Sequence, residues 1–252
     1  MKLRSMLAVG GAVVAGALGM SGTAMAAFPD FTGCPFSPGA SGSCLDIQSP
    51  SGSMTIKGFY VPLPNAFEIR GGVDFLPDGS VSFVPARGTN GFFARSVNVP
   101  GGLLGIDLPI PGNQVSATAE LAGTASSIRL DFSNLGISLP IKLRLSNPLI
   151  GGNCHIGTNA DPAYLNLITG TTSPPAPNRP ISGAIGTQED YPTYTVLRGN
   201  LNVDNSFRVP RAYNCGIGLG LIDSVVNAKL KLPSAAGNNE MRITNNLALK
   251  AP

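Results

Sequence analysis

Cys154 and His155, side by side in GGNCHIG (Gly151–Gly157), are the first place to look for chemistry, because a thiolate next to an imidazole is a standard means of nucleophilic attack. His155 is also the only histidine in the chain. The spacing argues against the pair. Neighbours in an extended chain point to opposite faces, so these two side chains diverge. The cysteine count argues against it again. Cys34, Cys44, Cys154 and Cys215 form an even set, which in an exported chain reads as two disulfides, and a disulfide sulfur is no nucleophile. Of three possible pairings, Cys34 with Cys44 is favoured because the Gly/Pro/Ser loop between them lets its ends meet. That leaves Cys154 with Cys215, and a surface or turn role for His155. A zinc site is the competing reading, but there is no CxxC and a single imidazole offers little.

Other chemistry finds less support. There is no GxSxG elbow for a serine hydrolase, and no phosphate loop, dinucleotide fingerprint or EF-hand loop. A glycosidase needs two spaced carboxylates. Glu189-Asp190 is the most concentrated acidic pair, and it reads as loop decoration. Sugar binding favours aromatic platforms; the chain has no Trp and 6% aromatics, leaving Tyr191 and Tyr194 as the candidate pair. Leu103, Leu104, Ile106 and Leu108 in GGLLGIDLPIPG suit either a lipid-binding cavity or an ordinary solid core, and the core is the expected use. The reading therefore assigns no catalytic, cofactor-binding or metal residues.

The elements that must position these residues are strands. GISLPIKLRLSN turns Ile137, Leu139, Ile141, Leu143 and Leu145 one way and its polar residues the other, the period of a half-buried strand. Pro140 lacks an amide donor, which predicts an edge strand or a bend there. The same period runs through Val115, Ala117, Ala119 and Leu121, through Ile128, Leu130 and Phe132, and through Met241, Ile243, Leu247 and Leu249. VDFLPDGSVSF predicts a hairpin turning at Pro77–Ser80. With 32 Gly and 22 Pro long helices are not expected. One short helix is, near residues 218–231, on the i, i+3, i+4, i+8 spacing of Ile222, Val225, Val226 and Leu230, with Pro233 as its stop. The run TTSPPAPNRP, Thr171–Pro180, is expected as extended chain crossing between sheets. The frame N-C-x-I-G occurs twice, at Asn153 and Asn214, and would put the two cysteines on comparable turns. The fold class is therefore all-β: an antiparallel β-sandwich or Greek-key barrel, one domain over residues 27–252.

Compartment follows from the leader. Lys2 and Arg4 precede an apolar run from Leu7 to Met20, and Ala24-Met25-Ala26 offers the small residues of a cleavage site, so residues 1–26 read as a signal peptide. The apolar run is too short for a bilayer-spanning helix, and the mature chain is expected to carry no transmembrane span. Cleavage lowers the formal charge from +3 to +1, and no basic run follows Arg4, which leaves nucleic acid without an electrostatic track. An outer-membrane barrel would need strands of about nine to eleven residues with aromatic girdles; one segment reaches that length and no girdle is evident. Signals for covalent attachment to the wall are also missing. The expected location is extracellular, or non-covalently associated with the cell wall.

At NPLIGGNCHIGTNADPAYLNLITGTTSPPAPNRPISG and GLIDSVVNAKLKLPSAAGNNE, within residues 147–240, the chain resembles secreted proteins of uncharacterised function from high-GC Gram-positive bacteria, the actinobacteria. The resemblance implies an exported envelope or extracellular protein and brings neither a reaction nor ligand residues. The leading expectation is a non-enzymatic, disulfide-stabilised protein working through surface contacts with cell-envelope components or through self-association. A carrier of a hydrophobic small molecule is the alternative, and a hydrolase with unidentified carboxylates the third.

Overall fold

The structure is a computed structural model that describes residues 28–37, 42–76, 81–103, 112–216 and 221–252. The proposed leader, the hairpin tip 77–80, the helix start 218–220, and Leu104, Ile106 and Leu108 lie outside the described residues.

In chain order the strands are β1 (Ser43–Ile56), β2 (Phe59–Pro62), β3 (Phe67–Phe75), β4 (Val81–Pro85), β5 (Phe92–Ala94), β6 (Ser96–Val99), β7 (Val115–Leu121), β8 (Arg129–Asp131), β9 (Gly136–Asn147), β10 (Gly151–Ile156), β11 (Ala163–Leu167), β12 (Thr187–Asp190), β13 (Thr195–Asp204) and β14 (Ala212–Tyr213). The helix α1 (Leu221–Lys229) follows, and then β15 (Asn239–Lys250). The larger sheet runs β12-β13-β15-β1-β3-β4, with β2 also on β1 and β5 on β3; the smaller runs β14-β10-β9-β7-β6, with β8 and β11 also on β9. The fold is thus an all-β sandwich with one short helix, as the alternation implies. Its core joins Leu45, Ile47, Ile69 and Ile243 of the larger sheet to Ile137, Leu139, Leu165 and Leu167 of the smaller, all buried. That apolar interior is the reverse of a lipid-facing barrel, whose lumen is polar.

β9 is not an edge. It is the central strand of the smaller sheet, and Pro140 is buried within it. The missing amide is tolerated because of where it points. The Pro140 carbonyl accepts from the Ala122 N–H at 2.9 Å, so the ring nitrogen faces the same side, where β7 ends opposite Ile141 and β8 begins opposite Ser138. A proline in that gap removes no ladder bond.

The proline run also departs from expectation. It folds as a closed loop, with Thr171 bridging Ser182 and the Thr172 N–H bonded to the Ile181 carbonyl at 2.9 Å. The chain then comes back against β13, so closely at Gly186 that a Cβ would overlap the Arg198 carbonyl. The expected hairpin forms, with Val73 opposite Phe83 and Phe75 opposite Val81. In α1 Val226 is buried and Ile222 half-buried, with the buried Leu230 directly after the helix, whereas Val225 is 56% exposed. The N-C-x-I-G frames differ too, since Cys154 lies in β10 and Cys215 follows β14 in a turn.

Two devices fasten the layers. On the β13 flank, Ile168 and Val203 exchange backbone hydrogen bonds of 3.1 and 2.9 Å between the sheets. Beside them the buried Asn202 amide donates to the Leu135 carbonyl (2.7 Å) and the Leu167 carbonyl (3.4 Å) of the opposite layer. Its own oxygen accepts from Asn245 at 3.0 Å, and Asn245 in turn accepts from the Ser49 hydroxyl. On the outer face of the larger sheet lies the segment 28–37. The Asp30 N–H donates to Asp46 at 2.7 Å, Arg70 pairs with Asp30, and the Cys34–Cys44 disulfide ties the segment to β1.

Candidate functional site

The feature most able to hold a ligand is a cavity of about 110 Å³ between the sheets on the β6 flank. Alternation places its walls: Met54 of β1, Phe67 of β3, Val97 of β6, Val115 of β7 and Leu145 of β9 all turn inward there. α1 completes the wall with Val226 and Leu230. It is held in place by the Cys154–Cys215 disulfide, by the Asp223 carboxylate accepting from the Cys215 N–H at 2.6 Å, and by Asn227, which exchanges hydrogen bonds of 2.8 and 3.1 Å with the Ala212 backbone.

Two residues with cationic heads, Arg95 and Lys229, also border this cavity, whose wall is apolar almost throughout. Arg95 sits between β5 and β6, where the chain leaves one sheet for the other, and its buried Nε has no hydrogen-bond partner among the described residues. Lys229 ends α1 and donates to the Gly102 carbonyl just beyond β6; burial pulls its ammonium below the ordinary lysine range. Neither cation joins an ion pair among the described residues. Sequence reading missed both. Arg95 interrupts the aromatic and aliphatic run FFARSVNV, and Lys229 follows the apolar face of a predicted helix, so each resembles an ordinary surface charge.

A second concavity is an open polar groove of about 820 Å³ lined by Lys142, Asn153, His155, Thr158, Tyr213 and Asp223. His155 stands at its side while Cys154, the next residue, is fully buried, so the two do diverge. The imidazole Nδ1 lies 2.8 Å from the Asn153 carbonyl, and Nε2 lies 3.5 Å from Glu120. Glu120 also holds Arg144 at 2.9 Å and Lys142 at 3.5 Å. Both ring nitrogens thus face protein acceptors, and the nearest sulfur is in a disulfide.

The remaining sequence candidates fall elsewhere. Tyr191 and Tyr194 do come together, stacked at 4.6 Å between ring centroids, but they turn faces to each other, and Tyr194 also packs on Phe31 at 6.0 Å. Glu189 and Asp190 lie in edge strand β12 and not in a loop. Hydrogen bonds from Arg198 and Tyr191 hold the Glu189 carboxyl below its usual range, the signature of a structural ion pair. Leu103 is half-buried and lines the cavity. Burial raises three acids, Asp46 to about 8, and Glu68 and Asp204 in the same direction. Asp46 is pushed further by Glu68, while Arg95 pulls Glu68 down against its burial. None of the three acids lines the cavity or the groove. Among the described residues no three His, Cys, Asp or Glu side chains are grouped to hold a metal, and no helix is long and apolar enough to cross a membrane.

Comparison with protein-family models, with curated proteins and with solved structures finds no match to this chain.

Proposed function

We propose that this is a non-enzymatic binding protein of the extracellular space or cell wall, carrying a small apolar group between its two sheets. The cavity carries the reading. Protein interiors pack as densely as organic crystals, and an unfilled volume near 110 Å³ forfeits about 2 to 3 kcal/mol at the usual cavity penalty. A ligand that fills it recovers that loss. Size restricts the ligand: an engineered apolar cavity of roughly 150 Å³ accepts benzene, so this smaller one suits a short branched chain and not a whole lipid.

Two rival readings have less behind them. Self-association through sheet edges meets edges of two to five residues at β14, β12, β6 and β4, with Glu189 and Asp190 on one of them; short, charged edges discourage pairing. Surface contact with envelope components keeps the exposed Leu149, Tyr164 and Leu221, which come from the β9–β10 turn, β11 and α1. A hydrolase would want its raised carboxyls in a cleft, and they lie under packed chain instead.

The test is thermal unfolding of the secreted protein with increasing isohexanol, read beside methyl NMR shifts at Val97 and Val115. A concentration-dependent rise in Tm, with shifts confined to the cavity methyls, is expected. A Tm that falls or stays flat, with no cavity shift, removes the carrier reading.

A further inference from the structure

We propose that the open groove beside the Cys154–Cys215 disulfide is a second binding site and that it takes a short neutral oligosaccharide. The groove shares no lining residue with the cavity between the sheets, so this site stands or falls independently of the carrier reading. The repeated N-C-x-I-G frame builds it. The disulfide brings the Cα atoms of Cys154 and Cys215 to 4.1 Å, and the asparagine before each cysteine, Asn153 in β10 and Asn214 after β14, is exposed and lines the groove. The two reach it on different backbones. β10 slips register on β9 between Gly151 and Cys154, an irregularity of the kind that re-aims side chains at sites, whereas Asn214 sits at φ 57°, a left-handed conformation that asparagine tolerates better than most residues.

The chemistry of the lining selects the ligand. Its charged groups already have partners: Lys142 and His155 share Glu120, and Asp223 accepts from the Cys215 N–H. What remains are the amides of Asn153, Asn159 and Asn214 and the Tyr213 hydroxyl, which have no side-chain hydrogen bond among the described residues. Each of these groups both donates and accepts, and so does every hydroxyl of a sugar. A carboxylate or phosphate only accepts and would leave their acceptors idle; an apolar ligand would use none of them. Gly152 supplies the room. It is exposed, its φ lies outside the left-handed region, and a Cβ there would meet no described atom within 4 Å. Neither φ nor packing calls for glycine at this place, and bare backbone lets a ligand ring approach closely. The volume of about 820 Å³ falls in the range of pockets for drug-sized ligands, enough for about two or three sugar rings. An extended peptide also carries donors and acceptors, but it binds by adding a strand to a sheet edge, and the edge strand here, β14, offers two residues.

The experiment titrates maltotriose, cellotriose, mannotriose and chitotriose, with triglycine as the peptide control, into the isotope-labelled secreted protein and follows its NMR signals. At least one trisaccharide is expected to shift the side-chain amides of Asn153 and Asn214 saturably in the millimolar range, while the cavity methyls of Val97 and Val115 stay in place. Gly152→Val should abolish that binding at unchanged Tm, because its side chain occupies the groove and not the protein. Asn214→Gly, which suits the same backbone conformation and removes one amide, should weaken binding by about threefold to tenfold, the worth of one neutral hydrogen bond. The proposal is overturned if none of the four sugars moves the groove signals, if triglycine binds as tightly as the best of them, or if folded Gly152→Val binds sugar as the unmodified protein does. Localised shifts in the unmodified protein decide the matter alone, so poor folding of a variant does not blunt the test, and neither result alters the isohexanol response that tests the cavity.

Discussion

The β13 flank and the β6 flank close the same sandwich by opposite means. On the first, directional bonds set the spacing: Asn202 reaches across to two carbonyls of the facing layer, and Ile168 and Val203 exchange backbone bonds between the sheets. On the second the facing side chains between the sheets make apolar contact, incompletely filled, and the polar bonds there hold the short helix that closes the side, together with a disulfide. Hydrogen bonds define a distance, whereas hydrophobic contact rewards filling. A fold that fixes its layer spacing on one side can leave space on the other without collapsing into it, which is how a small domain keeps an interior void.

The sharpest way to break the contrast is to cut the covalent tie on the hollow side. The Cys154–Cys215 bridge spans 61 residues, and in the chain-entropy model its loss lowers stability by about 4 kcal/mol. Cys154→Ser should therefore reduce stability by about that much in urea unfolding and lower the secreted yield. A variant of unchanged midpoint would deny the tie its role. The next effect is on the locked side. Asn202→Leu leaves the Leu135 and Leu167 carbonyls and the Asn245 amide without this partner, and about 2 to 3 kcal/mol of destabilisation is expected; a change within about 0.5 kcal/mol, the range of an ordinary surface substitution, would mean that the backbone bonds suffice. The third effect has the opposite sign. Ala117 lines the cavity, and Ala117→Leu should raise stability by about 1 to 2 kcal/mol by filling it, with loss of any isohexanol response. Destabilisation there would show that the hollow is already packed to its limit.

The last test, a pH dependence, lies away from both flanks and serves as their control. Burial raises Asp46 to about 8 from an ordinary value of 3.8, so the folded state holds this proton over a pH range in which the unfolded chain has released it. Stability should fall as pH climbs from about 4 to about 8 and level off above that. Glu68 and Asp204, raised in the same direction, add to the slope. Asp46→Asn should flatten part of it, measured as urea midpoints across that window. An unaltered slope would assign the proton uptake to the other two acids alone.

Alternation and cysteine arithmetic made the sandwich readable in advance, because both report on local chain and on compartment. What escaped depends on partners distant in sequence. Pro140 belongs mid-sheet only because β7 stops and β8 starts beside it, which no window around the proline contains. Asn245 shares the inward phase of Ile243 and Leu247, yet a polar residue on that phase looks like an error until the free carbonyls it serves are known. The cavity is a difference between the volumes of facing layers, and single strands carry no trace of it.

β15, the last strand of the sequence, is wedged between β1 and β13 and pairs with both along its length. A sheet whose keystone is supplied last cannot set while any earlier part is still emerging. In a chain exported in extended form this ordering would act as a built-in delay, because the larger sheet gains its central strand only when the twelve residues of β15 slide into place.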